Sequence, residues 1–263
     1  FLFFFVSGAT GLIYEVVWTR LLTLVMGNTH YSIATVLTAF MGGLALGSYA
    51  GGRMIDRRFL SPLTAYAFLE LGIGLYCLVI PGLIDLAFPV FKWVYLNWGD
   101  SYTQASLIRF LICVAILIVP ATLMGATLPV LSKFVSRDEA HIGKDVGTLY
   151  SINTFGAVFG AWASAFVFMR LWGVQSTIWM TALLNLAIAA IIFLVFKSPV
   201  QDSTTHKPEN PPLDNREKLI LLSFGLSGMV ALVYQVAWNR ILSLLLGSSV
   251  YAFSLILTVF ILG

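Results

Sequence analysis

The sequence predicts an all-α, multi-pass membrane protein with one complete six-helix bundle and the start of a second bundle. Hydrophobic residues make up 59% of the chain and charged residues only 10%, against roughly 25% charged residues in an ordinary soluble domain. The apolar residues form runs near the ~20 residues that a membrane-spanning helix needs. One of these runs also recurs later in the chain, which predicts a duplicated membrane unit.

Six apolar runs precede a polar segment, and two more follow it. The predicted spans are 1–26, 31–52, 63–84, 106–131, 146–169, 174–196 and 219–246, with a further run that begins at Val250. Residues 85–105 are rich in aromatic side chains, which favour the headgroup level of a bilayer, so a short helix on the membrane surface is expected there.

A flexible linker separates the two predicted membrane regions. Residues 198–218 hold four of the nine prolines and almost no large apolar side chain, a composition typical of linkers. The predicted domains are therefore a first membrane bundle at 1–197, the linker at 198–218, and the start of a second bundle at 219–263.

The repeat relates residues 7–43 to residues 227–263 by a constant shift of 220, with 15 identities in 37 positions. Matched tryptophan, tyrosine, arginine and glycine are not explained by shared apolar composition. Six spans precede the second copy, so both copies enter the membrane in the same direction. The two six-helix halves of major facilitator transporters are related in this way, and a major-facilitator-like fold is predicted.

Basic residues predict the orientation of the chain. With a cytoplasmic N-terminus, ten Lys and Arg lie in the inside connections and three in the outside connections and their margins. This bias follows the positive-inside rule, so the N-terminus and the linker 198–218 are expected in the cytoplasm. The first run is expected to be a permanent span rather than a cleavable signal peptide.

Polar residues within the predicted spans are the candidates for a solute-binding cavity. They are Tyr14, Glu15, Trp18 and Arg20 in the first span, Glu70 in the third span, and the repeat partners Tyr234, Gln235, Trp238 and Arg240.

Two interpretations of these polar residues stay open. A carboxylate in the middle of a bilayer costs about 2.5–3.5 kcal/mol, so Glu15 is expected to face the protein interior. It lines a cavity for a polar solute or a proton in one interpretation. In the other, Glu15 bonds to a neighbouring helix and Arg20 reaches the outer surface. Glu70 is expected to be structural, and Asn185 is expected to bond across helices.

Glycines at helical spacing predict close helix packing. They are Gly43, Gly47 and Gly51 in the second span and Gly156 and Gly160 in the fifth. Small residues at this spacing let helix backbones approach each other in lipid. Static packing is one interpretation of these faces, and a seam along which two halves move is the other.

The sequence argues against a nucleic-acid-binding function, and it contains no residues that suggest a metal, cofactor or catalytic site. The formal charge of +3 is small and dispersed, so no nucleic-acid partner is expected. No ligand cluster with metal spacing, no cofactor motif and no catalytic arrangement is recognised, so no metal, cofactor or catalytic residue is predicted. The expected partners are the lipid bilayer, and either further membrane subunits or a small polar solute.

Several stretches together resemble the membrane domain of fused major-facilitator-type/spermidine-synthase-like bacterial proteins. They are SG at 7–8, LIYEVVWTRLL at 12–22, AFMGGLALGS at 39–48, MGATLP at 124–129, LYSINTFGAVFGA at 149–161 and LVYQVAWNRIL at 232–242. The stretch GGRMIDR at 51–57 also resembles the loop after the second helix of major facilitator proteins. The matches are spread over nearly the whole chain.

The resemblance implies a bacterial inner-membrane domain that is followed, in fused members, by a cytoplasmic aminopropyltransferase-like domain. That domain would use decarboxylated S-adenosylmethionine and a diamine, and none of its motifs is recognised in these 263 residues. The expected function is therefore a membrane anchor or assembly module. The alternative is a transporter-like domain that binds or moves a small polar solute such as a polyamine, with Glu15 as the partner of the cation.

Overall fold

The computed structural model describes residues 1–27, 29–56, 60–98, 102–135, 142–196, 214–247 and 250–263, and it is helical in these residues. The helices are α1 (Leu2–Met26), α2 (Thr29–Asp56), α3 (Pro62–Trp98), α4 (Tyr102–Val135), α5 (Ile142–Ala163), α6 (Met169–Val195), α7 (Asn215–Leu246) and α8 (Val250–Leu262), with a π-helical turn at Ser164–Phe168. Most of the predicted linker, residues 198–213, lies outside the described residues.

Six stretches of the described chain are long and apolar enough to cross a membrane, which is compatible with the predicted multi-pass protein. The stretch Ile142–Val195 contains 54 residues, which would make a straight helix about 80 Å long. The hydrocarbon core is only about 30 Å thick. Gly173 interrupts this stretch with φ 77° and ψ 176°, close to the predicted boundary between the fifth and sixth spans.

The separate surface helix predicted for residues 85–105 is wrong. Helix α3 continues without interruption to Trp98, with Pro81 and Pro89 inside it. The aromatic residues suggested a headgroup position, but one side of this part of α3 packs against the bundle. Phe91 and Val94 are buried, and Phe91 belongs to the same apolar cluster as Cys113 of α4.

Helix α1 is the centre of the described bundle. It packs against α2, α5 and α6, while α2 packs closely on α4, and α3 packs on α4 and α6. The core cluster around α1 includes Trp18 and Leu22, together with Phe40 of α2, Ile73 of α3 and Leu117 of α4. The side chains of α1 can therefore reach several helices of the bundle.

The two sequence copies end their first helices at equivalent positions. Helix α1 ends at Met26 and α7 at Leu246, and the next residue of each copy is a glycine with positive φ, 68° at Gly27 and 82° at Gly247. Positive φ is accessible to glycine without a steric penalty, which suits a helix end. The two glycines differ in ψ, which is 4° at Gly27 and 152° at Gly247, so they share a positive φ but not one conformation.

The second copy contacts the first mainly through α8, which packs on α5. The Ser254 hydroxyl donates a hydrogen bond to the Ala161 carbonyl of α5. Helix α7 packs on α8 and touches α2, and most of its remaining surface is exposed. The arrangement of two complete major-facilitator-like bundles stays a prediction.

Candidate functional site

A buried hydrogen-bond network joins α1, α3 and α6 around the carboxylate of Glu70. The Ser7 hydroxyl donates to Glu70 Oε1 at 2.5 Å, and the Asn185 amide donates to Glu70 Oε2 at 2.6 Å. Glu70 and Asn185 are both buried. Each carboxylate oxygen therefore has a donor from a different helix, which is the condition for burying such a group.

The network extends along one side of α1. The Asn185 amide lies 3.2 Å from Thr10 Oγ1, and the Tyr14 hydroxyl donates to Asn185 Oδ1 at 3.2 Å. The prediction that Asn185 bonds across helices is confirmed. Ser7, Thr10 and Tyr14 are spaced by three and four residues, which places them on one face of a helix.

Glu15 lies about 100° around α1 from Tyr14, and it has a different environment. It is fully buried, and neither carboxylate oxygen has a hydrogen-bond partner among the described residues. The hydroxyl of Thr19 bonds to the backbone carbonyl of Glu15, at 2.9 Å, and not to its side chain. Glu15 is thus a buried carboxyl that the described chain leaves without a partner.

Tyr14 and Trp18 form an aromatic pair beside Glu15. Their rings stack with centroids 5.5 Å apart and an interplanar angle of 18°, and both side chains are fully buried. Trp18 also meets the ring of Phe40 edge-on at 6.5 Å. The Trp18 indole nitrogen also has no hydrogen-bond partner within the described ranges.

The second copy presents two further unpaired polar groups on α7. Gln235 and Asn239 are buried, and their amide nitrogens have no hydrogen-bond partner in the part of the chain that is described. Val236 packs against a cluster that includes Val16 of α1, its own repeat partner. Val16 and Val236, which directly follow Glu15 and Gln235 in the chain, therefore belong to the same apolar cluster.

The other predicted residues of the second copy lie at the surface. Tyr234 is 59% exposed and Trp238 is 54% exposed, and Arg240 is exposed. Their partners Tyr14 and Trp18 are fully buried. The two copies thus place the same residue types in different surroundings in the described chain.

Arg20 is exposed, and it lines a cavity of about 360 Å³. Met169 and Gly173, near the start of α6, line this cavity together with Tyr251 of α8. The adjoining turn Ser164–Phe168 is π-helical, and such turns occur often at functional sites. Arg20 is exposed whereas Glu15 is buried. This difference agrees with their spacing of five residues, which places them on different faces of a helix.

The predicted packing glycines lie at two close helix contacts. A β-carbon at any of the three glycines of α2 would collide with α4. Gly43 faces Ala121, Gly47 faces Thr122, and Gly51 faces Ala126. A side chain at Gly156 would meet the carbonyl of Phe5, and one at Gly160 would meet the carbonyl of Ala9. The α2–α4 and α1–α5 contacts therefore have no room for a β-carbon at these positions.

The network around Glu70 contains partners that sequence reasoning did not select. Ser7 and Thr10 are not among the candidate residues that the sequence predicts. A usable signal was present, because Ser7, Thr10 and Tyr14 form a polar stripe at helical spacing in an otherwise apolar span.

The chain is similar to two curated proteins over most of its length. Polyamine aminopropyltransferase 2 of Streptomyces coelicolor is 28% identical over 191 residues, which are 72% of this chain and 32% of that protein. Polyamine aminopropyltransferase 1 of the same organism is 24% identical over 193 residues, which are 73% of this chain and 33% of that protein. The chain thus spans about a third of the length of these relatives.

Two other comparisons gave no match. No protein-family profile matches the chain, and no solved structure matches it. The sequence and structure therefore define a protein that is helical in its described residues, has six stretches suited to membrane spanning among them, and is similar to polyamine aminopropyltransferases.

Proposed function

We propose that this chain is the membrane domain of a spermidine-synthase-like protein and acts as its membrane anchor or assembly module. One observation carries the proposal: the match covers 72% of this chain but only 32% of the first relative. About two thirds of that relative lies outside the match, which is ample length for a separate catalytic region. Aminopropyl transfer would belong to that region.

The surface of the helices supports a location in lipid. Phe224 and Leu244 of α7 are each 81% exposed, and Leu194 of α6 is 79% exposed. Exposed apolar surface on several helices is typical of proteins that contact membranes or partners. The proposed location is the bacterial inner membrane, with a cytoplasmic N-terminus and a major-facilitator-like arrangement of helices.

Membrane fractionation of the whole protein tests the anchoring function. Aminopropyltransferase activity with putrescine is expected to sediment with carbonate-washed membranes. Removal of residues 1–263 is expected to move this activity to the soluble fraction with an unchanged rate per molecule. Activity that stays in the membranes after this removal would refute anchoring, and so would recovery of the 1–263 chain in the carbonate supernatant.

A second candidate function is the binding or movement of a small cationic solute such as a polyamine. The specific observation in its favour is Glu15, a fully buried carboxyl without a hydrogen-bond partner among the described residues. Ionisable groups at such depth are functional candidates by default, because burying them is costly. A primary ammonium group is a chemically suitable partner for this carboxyl.

Uptake of labelled spermidine into proteoliposomes tests the second candidate. Glu15→Gln is expected to remove saturable uptake. Glu70→Gln is the matched control, because it changes a buried carboxyl that already has protein donors. Equal uptake by the wild type and Glu15→Gln would exclude Glu15 from the process. An absence of saturable uptake by the wild type would reject solute handling and leave the anchoring proposal intact.

A further inference from the structure

A cavity of about 340 Å³ lies at the end of the bundle where α1 ends and where α2 and α4 begin. Its volume is within the range of roughly 300–1,000 Å³ that is usual for ligand sites. Half of the lining is apolar, from Met26, Ala34, Leu107 and Phe110, and the other half carries polar groups, from Tyr31, Thr35, Ser106 and Arg109. This site is distinct from the Glu70 network and from Glu15.

Arg109 is the charged residue of this cavity. It is half-buried, and its Nε atom is buried without a hydrogen-bond partner among the described residues. A guanidinium group in apolar surroundings is stabilised by an anion that can accept its paired N–H donors, and phosphate has a matching geometry.

We propose that this cavity binds the phosphate group of an anionic membrane phospholipid, with Arg109 as the phosphate ligand. The mixed lining favours a lipid as the occupant, because acyl carbon atoms can contact Met26, Ala34 and Phe110 while the phosphate meets Arg109. Leu107 is 54% exposed, so the apolar lining continues to the outside of the bundle. Tyr31 suits the same depth, because tyrosine is enriched at the headgroup level of membranes.

The position of the cavity supports a lipid as its occupant. Headgroups lie where membrane-spanning helices end, and this cavity is formed at the junction of three helix ends. This inference goes beyond the proposed anchoring function and does not depend on it. A lipid bound between α2 and α4 would link two helices that already pack closely.

Native mass spectrometry of the purified protein in detergent tests the proposal, with dioleoyl phosphatidylglycerol and dioleoyl phosphatidylcholine as probes. The wild type is expected to bind one phosphatidylglycerol at least about tenfold more tightly than Arg109→Gln does, which is the effect of losing a charge-assisted pair. Arg170→Gln is the matched control, because Arg170 is exposed, and it is expected to bind like the wild type.

A second variant keeps the test decisive if Arg109→Gln does not fold. Ala34→Leu leaves Arg109 in place but fills part of the cavity, and it is expected to lose the bound lipid while keeping the elution volume of the wild type. Equal affinity of Arg109→Gln and the wild type would overturn the proposal. So would equal affinity for the two lipids, an equal loss in Arg170→Gln, or inorganic phosphate that binds as tightly as the lipid.

Discussion

Replacement of Asn185 by leucine should destabilise the bundle strongly, because Asn185 connects three helices at once. The substitution keeps a similar volume but removes the donor to Glu70 Oε2 at 2.6 Å. It also removes the contact with Thr10 Oγ1 at 3.2 Å and the acceptor of the Tyr14 hydroxyl at 3.2 Å. All of these groups lie at the contacts between α1, α3 and α6.

The magnitude follows from the kinds of bond that are lost. Hydrogen bonds between membrane helices average about 0.6 kcal/mol, and a buried acceptor that loses its donor costs about 1–3 kcal/mol. One loss of the second kind, at Glu70, and two of the first give an expected loss of about 2–4 kcal/mol in the free energy of unfolding. Tyr14→Phe removes only one of the weaker bonds and should lose about 0.6 kcal/mol.

The two native cysteines provide the assay. Cys77 and Cys113 are both free and buried, so a thiol-reactive dye should label them as the protein unfolds. Unfolding in mixed micelles with increasing dodecyl sulfate would give the free energies of the wild type, Asn185→Leu and Tyr14→Phe. If Asn185→Leu loses no more than Tyr14→Phe, Asn185 does not hold the carboxylate of Glu70, and the reasoning is refuted.

Three further substitutions should change stability in the same assay. Gly47→Leu should destabilise the protein by about 3 kcal/mol or more, because the leucine side chain would meet the backbone of Thr122. Gly52→Leu is the control, since open space surrounds Gly52. Equal losses of stability in the two variants would refute the packing argument. Gly173→Ala should lose about 1–3 kcal/mol, because φ 77° with ψ 176° is a backbone region almost confined to glycine. Glu15→Gln should gain about 1–2 kcal/mol at neutral pH, because a carboxylate that is ionised in water must be buried as an unpaired charge or take up a proton, whereas the amide is neutral; a loss instead would show that Glu15 has a stabilising partner.

The spans could be predicted from sequence because their signal is local. The length of an apolar run, and a glycine at its end such as Gly27, are features of consecutive residues, and the helices cover each predicted span to within one residue. The continuation of α3 to Trp98 could not be predicted in this way. It depends on which face of residues 85–98 meets α4, and Phe91 is buried there while Trp93 is exposed.

The Glu70 network depends on contacts that are distant in sequence. Ser7 is 63 residues from Glu70, and Asn185 is 115 residues from it. The single sequence identifies each of these polar residues but does not reveal which of them meet. Glu15 and Glu70 therefore look alike as sequence positions, and only the three-dimensional packing separates the bonded carboxylate from the unpartnered one.

The irregular turn Ser164–Phe168 has a consequence for the evolution of the chain. The carbonyl of Ala161, just before this turn, accepts bonds from Ser164 and from Ser254 of α8. A π-turn contains one residue more than a regular helical turn, so deleting a residue here would rotate everything beyond it by about 100° relative to α5. Insertions and deletions should therefore be selected against at 164–168, where they would misalign α6 with its neighbours.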